Sequence, residues 1–130
     1  MKVIIILFAF FYPSASTAQA KDSLYAEITF DRTQIDTGKI NQLAPCVFQY
    51  RFKNTGNIPL SINYVHSSCN CIEPTWSKEK IVPGGYGFVS CIYDTKSKSG
   101  NFSKTVLVYS NHRKGRQVAV QLVMKGYVAK

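Results

Sequence analysis

The stretch Cys46-Val47-Phe48-Gln49-Tyr50-Arg51-Phe52-Lys53 decides the fold, because its residues alternate between an apolar and a polar row. Successive side chains of a β-strand point to opposite faces of the sheet. The apolar row is Cys46, Phe48, Tyr50 and Phe52, and the polar row is Gln49, Arg51 and Lys53. The pattern predicts a half-buried strand with Phe48, Tyr50 and Phe52 at the centre of the hydrophobic core.

Shorter runs of the same period lie on both sides of this strand. Their apolar rows are Leu24/Ala26/Ile28/Phe30, Leu60/Ile62/Tyr64, Val89/Cys91/Tyr93, Phe102/Val106/Val108 and Val118/Val120/Leu122/Met124. Residues 33–39 are polar and are predicted to be a connection, and turn residues occur at 54–57 and 83–85. No run has a helical period. The pattern predicts an all-β protein, an immunoglobulin-like β-sandwich of about seven strands.

The segment Ser68–Trp76 separates the two strand-rich halves and contains two cysteines and the single tryptophan. Pro74 lacks the N–H that a central strand needs, so the segment is predicted to be an edge strand or an irregular crossing between sheets.

The first twenty residues have the pattern of a signal peptide. Met1-Lys2 is a short basic region, Val3–Tyr12 is apolar, and Ala18-Gln19-Ala20 fits the small-residue cleavage rule. The apolar run is too short for a membrane-spanning helix, which needs about 20 residues. We therefore expect cleavage after residue 20, one Ig-like domain over residues 21–130 without a transmembrane segment, and a periplasmic or extracellular location.

The charge favours anionic partners. The net charge is +9, and loss of Lys2 with the signal peptide leaves +8. Such a surface suits an acidic protein or an anionic component of the cell envelope. Binding of nucleic acid is not predicted, because the basic residues are scattered along the chain. The sequence does not indicate the oligomeric state.

The four cysteines are expected to form disulfide bonds, because an exported protein folds in an oxidising compartment. Three pairings exist for four cysteines. Cys46 opens one predicted strand and Cys91 lies late in a predicted antiparallel neighbour, so register favours a Cys46–Cys91 bridge. Cys69 and Cys71 then remain, either bridged to each other or as free thiols.

Cys69 and Cys71 also allow a different interpretation. Residues two apart on a strand point the same way, so their sulfurs could hold a soft metal ion with His66 as a third ligand. These three residues are the metal candidates, but structural zinc sites usually have four ligands, and we predict no metal and no other cofactor.

Several motifs in fixed order resemble one bacterial family. They are Phe52–Leu60, Cys69-Asn70-Cys71, Pro83-Gly84, Tyr93-Asp94-Thr95, Phe102–Asn111 and Lys125-Gly126-Tyr127-Val128. Together they resemble the exported Ig-like domain-of-unknown-function family 1573. The resemblance implies an Ig-like fold and an exported location, and it implies no activity. Asn70 and Ile72 depart from the family pattern, which usually has glycine and threonine at these positions.

No spacing groups a nucleophile with a base and an orienting residue, so no catalytic residue is predicted. The sequence predicts a non-enzymatic exported binding or structural module of the bacterial cell envelope. The alternative is a thiol redox or soft-metal-handling protein that uses the Cys-x-Cys pair.

Overall fold

The structure, a computed structural model, describes residues 9, 23–113 and 118–130. The predicted signal peptide, residues 1–20, lies outside the described residues except for Ala9. The described chain forms eight β-strands and no helix: β1 Ile28–Phe30, β2 Gln34–Asn41, β3 Cys46–Asn54, β4 Ile62–Ser67, β5 Ile72–Trp76, β6 Tyr86–Tyr93, β7 Gly100–Ser110 and β8 Val120–Ala129. Within the described ranges, no helix is long and apolar enough to cross a membrane.

The strands form two four-stranded sheets that pack face to face. The first sheet has the order β1-β3-β6-β5 and the second has the order β2-β8-β7-β4. This is the arrangement of an Ig sandwich whose first strand is divided between the two sheets. The predicted all-β Ig-like sandwich is confirmed, and the division of the first strand accounts for eight strands in place of about seven.

The strand β3 has the predicted register. Phe48, Tyr50 and Phe52 are all buried, and they form the centre of the core together with Val89 and Leu122. The Tyr50 hydroxyl donates a hydrogen bond of 2.6 Å to the backbone carbonyl of Val123 in the other sheet. The same side chain therefore fills the core and joins the two sheets.

Residues 33–39 differ from the prediction, because most of them belong to β2 and not to a connection. This strand runs parallel to β8, and its pairing shifts register between Asp36 and Lys39. Gly38 has a φ of 66°, which glycine adopts without strain. The bulge breaks the alternation, and only Ile35 and Ile40 pack on the core, so the sequence has no period-two signal here.

The strand β4 contains a second irregularity, between Ile62 and Tyr64. The shift turns Val65 inward and leaves Tyr64 53% exposed, so Tyr64 does not continue the inward row that the alternation predicted. The segment that follows is an edge strand, β5, with Pro74 inside it, as predicted.

Candidate functional site

The outer face of the first sheet exposes large apolar side chains. On β3 and β6 the inward residues form the core, so Val47, Tyr86, Phe88 and Ile92 point outward. Their side chains are 38–57% exposed. Register places Val47 opposite Ile92 and Arg51 opposite Phe88. We call this surface, with Arg32, Gln49, Arg51 and Lys53, the outer face.

Two cationic side chains lie over the Tyr86 ring, at the end of the outer face that carries Tyr86 and Phe88. The Arg51 guanidinium lies 4.8 Å from the centre of the Tyr86 ring, and the Lys53 ammonium lies 5.7 Å from it. Arg51 Nε also donates a hydrogen bond of 2.7 Å to Asp31, and this carboxylate raises the pKa of Arg51. Arg32 and Lys53 form no salt bridge with any described residue. Within the described part of the chain, the positive charges of Arg32 and Lys53 on the outer face therefore have no ion-pair partner.

A shallow groove of about 550 Å³ lies at this end, lined by Arg32, Gln49, Arg51, Tyr86, Gly87 and Phe88. The Tyr86 and Phe88 rings line the groove together with the cationic groups of Arg32 and Arg51. Such a combination suits a ligand that presents a carboxylate beside an apolar group.

The Cys69-Asn70-Cys71 turn connects the edge strands of the two sheets. Cys69 and Cys71 form a disulfide bond with their Cα atoms 5.1 Å apart. The Ile72 N–H donates to the Cys69 carbonyl, and the Asp94 N–H donates to the Cys71 carbonyl at 2.8 Å. The Ser67 hydroxyl donates to the Cys69 carbonyl at 3.0 Å and accepts from the Cys69 N–H at 3.3 Å. These bonds hold the turn independently of the disulfide.

Two aromatic side chains lie along β4 and β5 beyond this turn, the exposed Tyr64 and the half-buried Trp76. The Tyr64 and Trp76 rings meet edge to face with centroids 6.3 Å apart, and the Lys78 ammonium lies 3.2 Å from the centre of the Trp76 ring. A groove of about 380 Å³ borders Cys69 and Asn70 and runs between β4 and β5. The disulfide therefore lies beside an open groove.

The predicted metal candidates do not form a metal site. The sulfurs of Cys69 and Cys71 are bonded to each other, so neither is a thiolate ligand. His66 lies on the exposed side of β4, where its ring is 6.1 Å from that of Tyr64. Among the described residues, no group of three or more histidine, cysteine or acidic side chains is placed to hold a metal ion.

The predicted Cys46–Cys91 bridge is not formed, and both cysteines are buried free thiols. β3 and β6 are antiparallel neighbours as predicted, but Cys46 lies opposite Tyr93 and Cys91 lies opposite Phe48. The two cysteines are therefore diagonal neighbours, whose Cα atoms lie about 7–8 Å apart, beyond the usual limit for a disulfide. Burial raises the pKa of the Cys91 thiol to about 11 and also raises the pKa of Cys46.

A buried contact between Ser110 and His112 was not predicted. The Ser110 hydroxyl lies 2.7 Å from His112 Nδ1 and accepts a hydrogen bond of 3.3 Å from the His112 N–H. A serine–histidine pair is the core of many nucleophilic sites. Here Ser110 is fully buried and His112 is 4% exposed, and the bond from the His112 N–H to the Ser110 hydroxyl fixes the end of β7.

The apolar character of the outer face was also not predicted, although the sequence contains a pattern that indicates it. Val47, Phe88 and Ile92 occupy the rows that alternation assigns to solvent, where polar residues are expected. Apolar residues in a solvent-facing row predict a contact surface once the buried row is known.

The sheet order and the divided first strand define an Ig-like β-sandwich. Within that class, the chain belongs to the family described as protein of unknown function (DUF1573), which matches residues 28–128. No curated protein matches the chain.

Solved structures show the same fold. A protein of unknown function from Porphyromonas gingivalis W83 is 13% identical with a TM-score of 0.69, and the match covers 86% of this chain and 51% of that one. This chain therefore spans about half the length of that protein. The PapD-like domain 7 of human CEP192 is 9% identical with a TM-score of 0.65, over 92% of this chain and 96% of that domain.

The periplasmic chaperone SfaE is a more distant neighbour. It is 9% identical with a TM-score of 0.53, over 79% of this chain and 58% of that one. At these identities the likenesses concern the fold alone.

Proposed function

We propose that the protein is a non-enzymatic binding module of the bacterial cell envelope, which binds a protein partner through the outer face. The observation that carries the proposal is the positive charge of Arg32 and Lys53, which have no salt-bridge partner among the described residues, beside the exposed Tyr86 and Phe88. The similarity to a periplasmic chaperone fold is consistent with protein binding. Soft-metal binding is not proposed, because the two thiols of the Cys-x-Cys pair are joined.

The chemistry of the outer face favours an acidic protein segment with apolar side chains. Arg32 and Lys53 attract carboxylates, while Phe88 and the Val47–Ile92 pair offer apolar contact area. A sugar ring would need a bare aromatic face, and because Arg51 covers Tyr86, only Phe88 offers one among the aromatic side chains of the outer face. A peptide therefore fits the outer face better than an anionic polysaccharide.

Binding can be tested with residues 21–130 and a fluorescein-labelled peptide of alternating glutamate and leucine. We expect anisotropy to show binding at low salt that weakens as ionic strength rises. The Arg32→Gln/Lys53→Gln variant should bind about tenfold more weakly, a loss of about 1.4 kcal/mol. The control Lys39→Gln/Lys125→Gln removes the same charge from the other sheet and should bind like the wild type.

Two results would overturn this assignment. Equal weakening in both double variants would mean that only net charge matters. Binding of alginate, a polyuronate, with no binding of the peptide would assign the outer face to a polysaccharide.

We also propose that the protein works outside the cytoplasm, in the periplasm or the extracellular medium. The signal pattern of residues 1–20 supports this, and so does the Cys69–Cys71 disulfide, since cytoplasmic thiols stay reduced. Cell fractionation of the expressed full chain, with mass spectrometry of the product, is the test. We expect a product that begins at Lys21 in the periplasm or medium, and uncleaved protein confined to the cytoplasm would contradict export.

A further inference from the structure

We infer that the Cys69–Cys71 disulfide is a thiol-exchange site, which accepts two electrons from a dithiol segment of a protein partner. This activity goes beyond binding at the outer face and does not depend on it. Three observations carry the inference: the short loop that the bridge closes, the position of Cys69, and the backbone N–H that lies against its sulfur.

The disulfide contributes little to the stability of the folded protein. Its cysteines are two residues apart, so it closes a very small loop and restricts the unfolded chain less than a bridge across a long loop would. The backbone bonds of Cys69, Cys71 and Ile72 already hold the turn. The turn therefore keeps its shape, with the two sulfurs close together, when the bridge is opened.

Both cysteines are half-buried, and we assign Cys69 as the residue that a partner attacks because it borders a groove. It lines the groove between β4 and β5, whereas Cys71 does not. The Cys71 N–H donates a hydrogen bond of 3.3 Å to Cys69 Sγ. A donor aimed at sulfur favours the thiolate over the thiol, so the same contact stabilises the Cys69 thiolate that the second step of the exchange releases.

The exchange has two steps. A thiolate of the partner attacks Cys69 Sγ, the Cys69–Cys71 bond breaks, and Cys71 leaves as a thiolate and takes up a proton. The second thiolate of the partner then attacks the partner's sulfur in the mixed disulfide and releases the Cys69 thiolate. The partner loses two electrons and two protons and gains a disulfide, and this chain becomes a dithiol.

The experiment uses oxidised residues 21–130 with a reduced peptide that contains Cys-Ala-Ala-Cys as the probe. Alkylation and mass spectrometry should show one equivalent of peptide oxidised, with alkylation at Cys69 and Cys71 and none at the buried Cys46 and Cys91. Circular dichroism should stay unchanged through the reaction. The Cys69→Ser/Cys71→Ser variant is the matched control and should oxidise no peptide.

A second measurement tests the roles of the two sulfurs. At neutral pH, iodoacetamide should alkylate Cys69 in Cys71→Ser about tenfold faster than it alkylates Cys71 in Cys69→Ser. Equal rates would overturn the assignment of Cys69. A bridge that the peptide reduces only in denaturant, or whose reduction abolishes the strand signal, would show a purely structural disulfide and overturn the inference.

Discussion

Asn54 is a single buried polar residue that fixes the turn after β3. Its amide nitrogen donates to the carbonyls of Ile58 and Ile81 at 2.8 and 2.9 Å. Its amide oxygen accepts from the Gly56 N–H at 3.0 Å. The side chain is fully buried, so water cannot replace these partners. Asparagine has donors and an acceptor on one short side chain, and no apolar residue supplies them.

The Asn54→Ala variant should lose about 2–4 kcal/mol of unfolding free energy, because it removes the partner of the Ile58 carbonyl and of the Gly56 N–H, and it removes one of the two donors to the Ile81 carbonyl. Urea unfolding followed by circular dichroism measures the loss. Asn101→Ala is the matched control, since Asn101 is exposed, and it should change the free energy by less than about 0.5 kcal/mol. A similar value for both variants would mean that the turn is not held by Asn54.

The Phe48→Ala variant tests how much a single core residue contributes to stability. Phe48 is 1% exposed and meets Phe102 edge to face with centroids 6.1 Å apart. We expect a loss of about 3–5 kcal/mol in the free energy of unfolding, because truncation removes buried area and leaves a cavity. Val47→Ala changes the neighbouring outward residue and should cost far less. A loss below about 1 kcal/mol for Phe48→Ala is incompatible with the observed register.

At the scale of elements, alternation in the sequence predicts the strands that face the core from one side, such as β3 and β6. It does not predict β2, whose bulge at Gly38 breaks the period. It also does not distinguish two registers that differ by two residues, because both keep every side chain on the same face. For this reason the neighbours β3 and β6 were predicted correctly, while the pairing of Cys46 with Cys91 was wrong.

The disulfide at the Cys69-Asn70-Cys71 turn illustrates a similar limit. The chain-entropy relation gives about 1.6 kcal/mol for a three-residue loop, against about 3 kcal/mol for a loop of 15 residues. The sequence leaves bridged and free cysteines as alternatives here. What decides between them is the turn geometry, which is set by the Ser67 hydroxyl and by the backbone N–H groups of Ile72 and Asp94.

The pairing of β3 with β6 depends on a small residue at Gly87. Gly87 lies opposite Phe52, and an added Cβ would overlap the Phe52 ring. The Gly87→Ala variant should lose about 1–3 kcal/mol, since the core must shift to admit one methyl group. Adding Phe52→Leu shortens the overlapping side chain, so the double variant should lose less than the sum of the two single losses. Additive losses in urea unfolding would contradict this contact.

At the scale of the whole molecule, the core contains titratable groups, namely two thiols and two phenol hydroxyls. Burial raises the pKa of Cys46, Tyr50, Cys91 and Tyr93, and that of Cys91 rises from 9.0 to about 11. In each case the side chain keeps its proton in the folded protein at a pH at which the same side chain is deprotonated in the unfolded chain. The stability that these groups contribute is therefore complete below about pH 9 and decreases as the pH rises through the folded-state values.

The unfolding free energy should accordingly fall between about pH 9 and 11. Cys91 alone should account for about 2–3 kcal/mol of that fall, because its pKa differs by about two units between the unfolded and the folded chain and one unit corresponds to about 1.4 kcal/mol. Urea unfolding at intervals of half a pH unit, without oxygen, measures the slope. The Cys91→Ala variant is less stable at neutral pH because of its cavity, but its free energy should fall less steeply, since alanine has no proton to release. Parallel slopes for the two proteins would show that Cys91 does not titrate as a buried thiol.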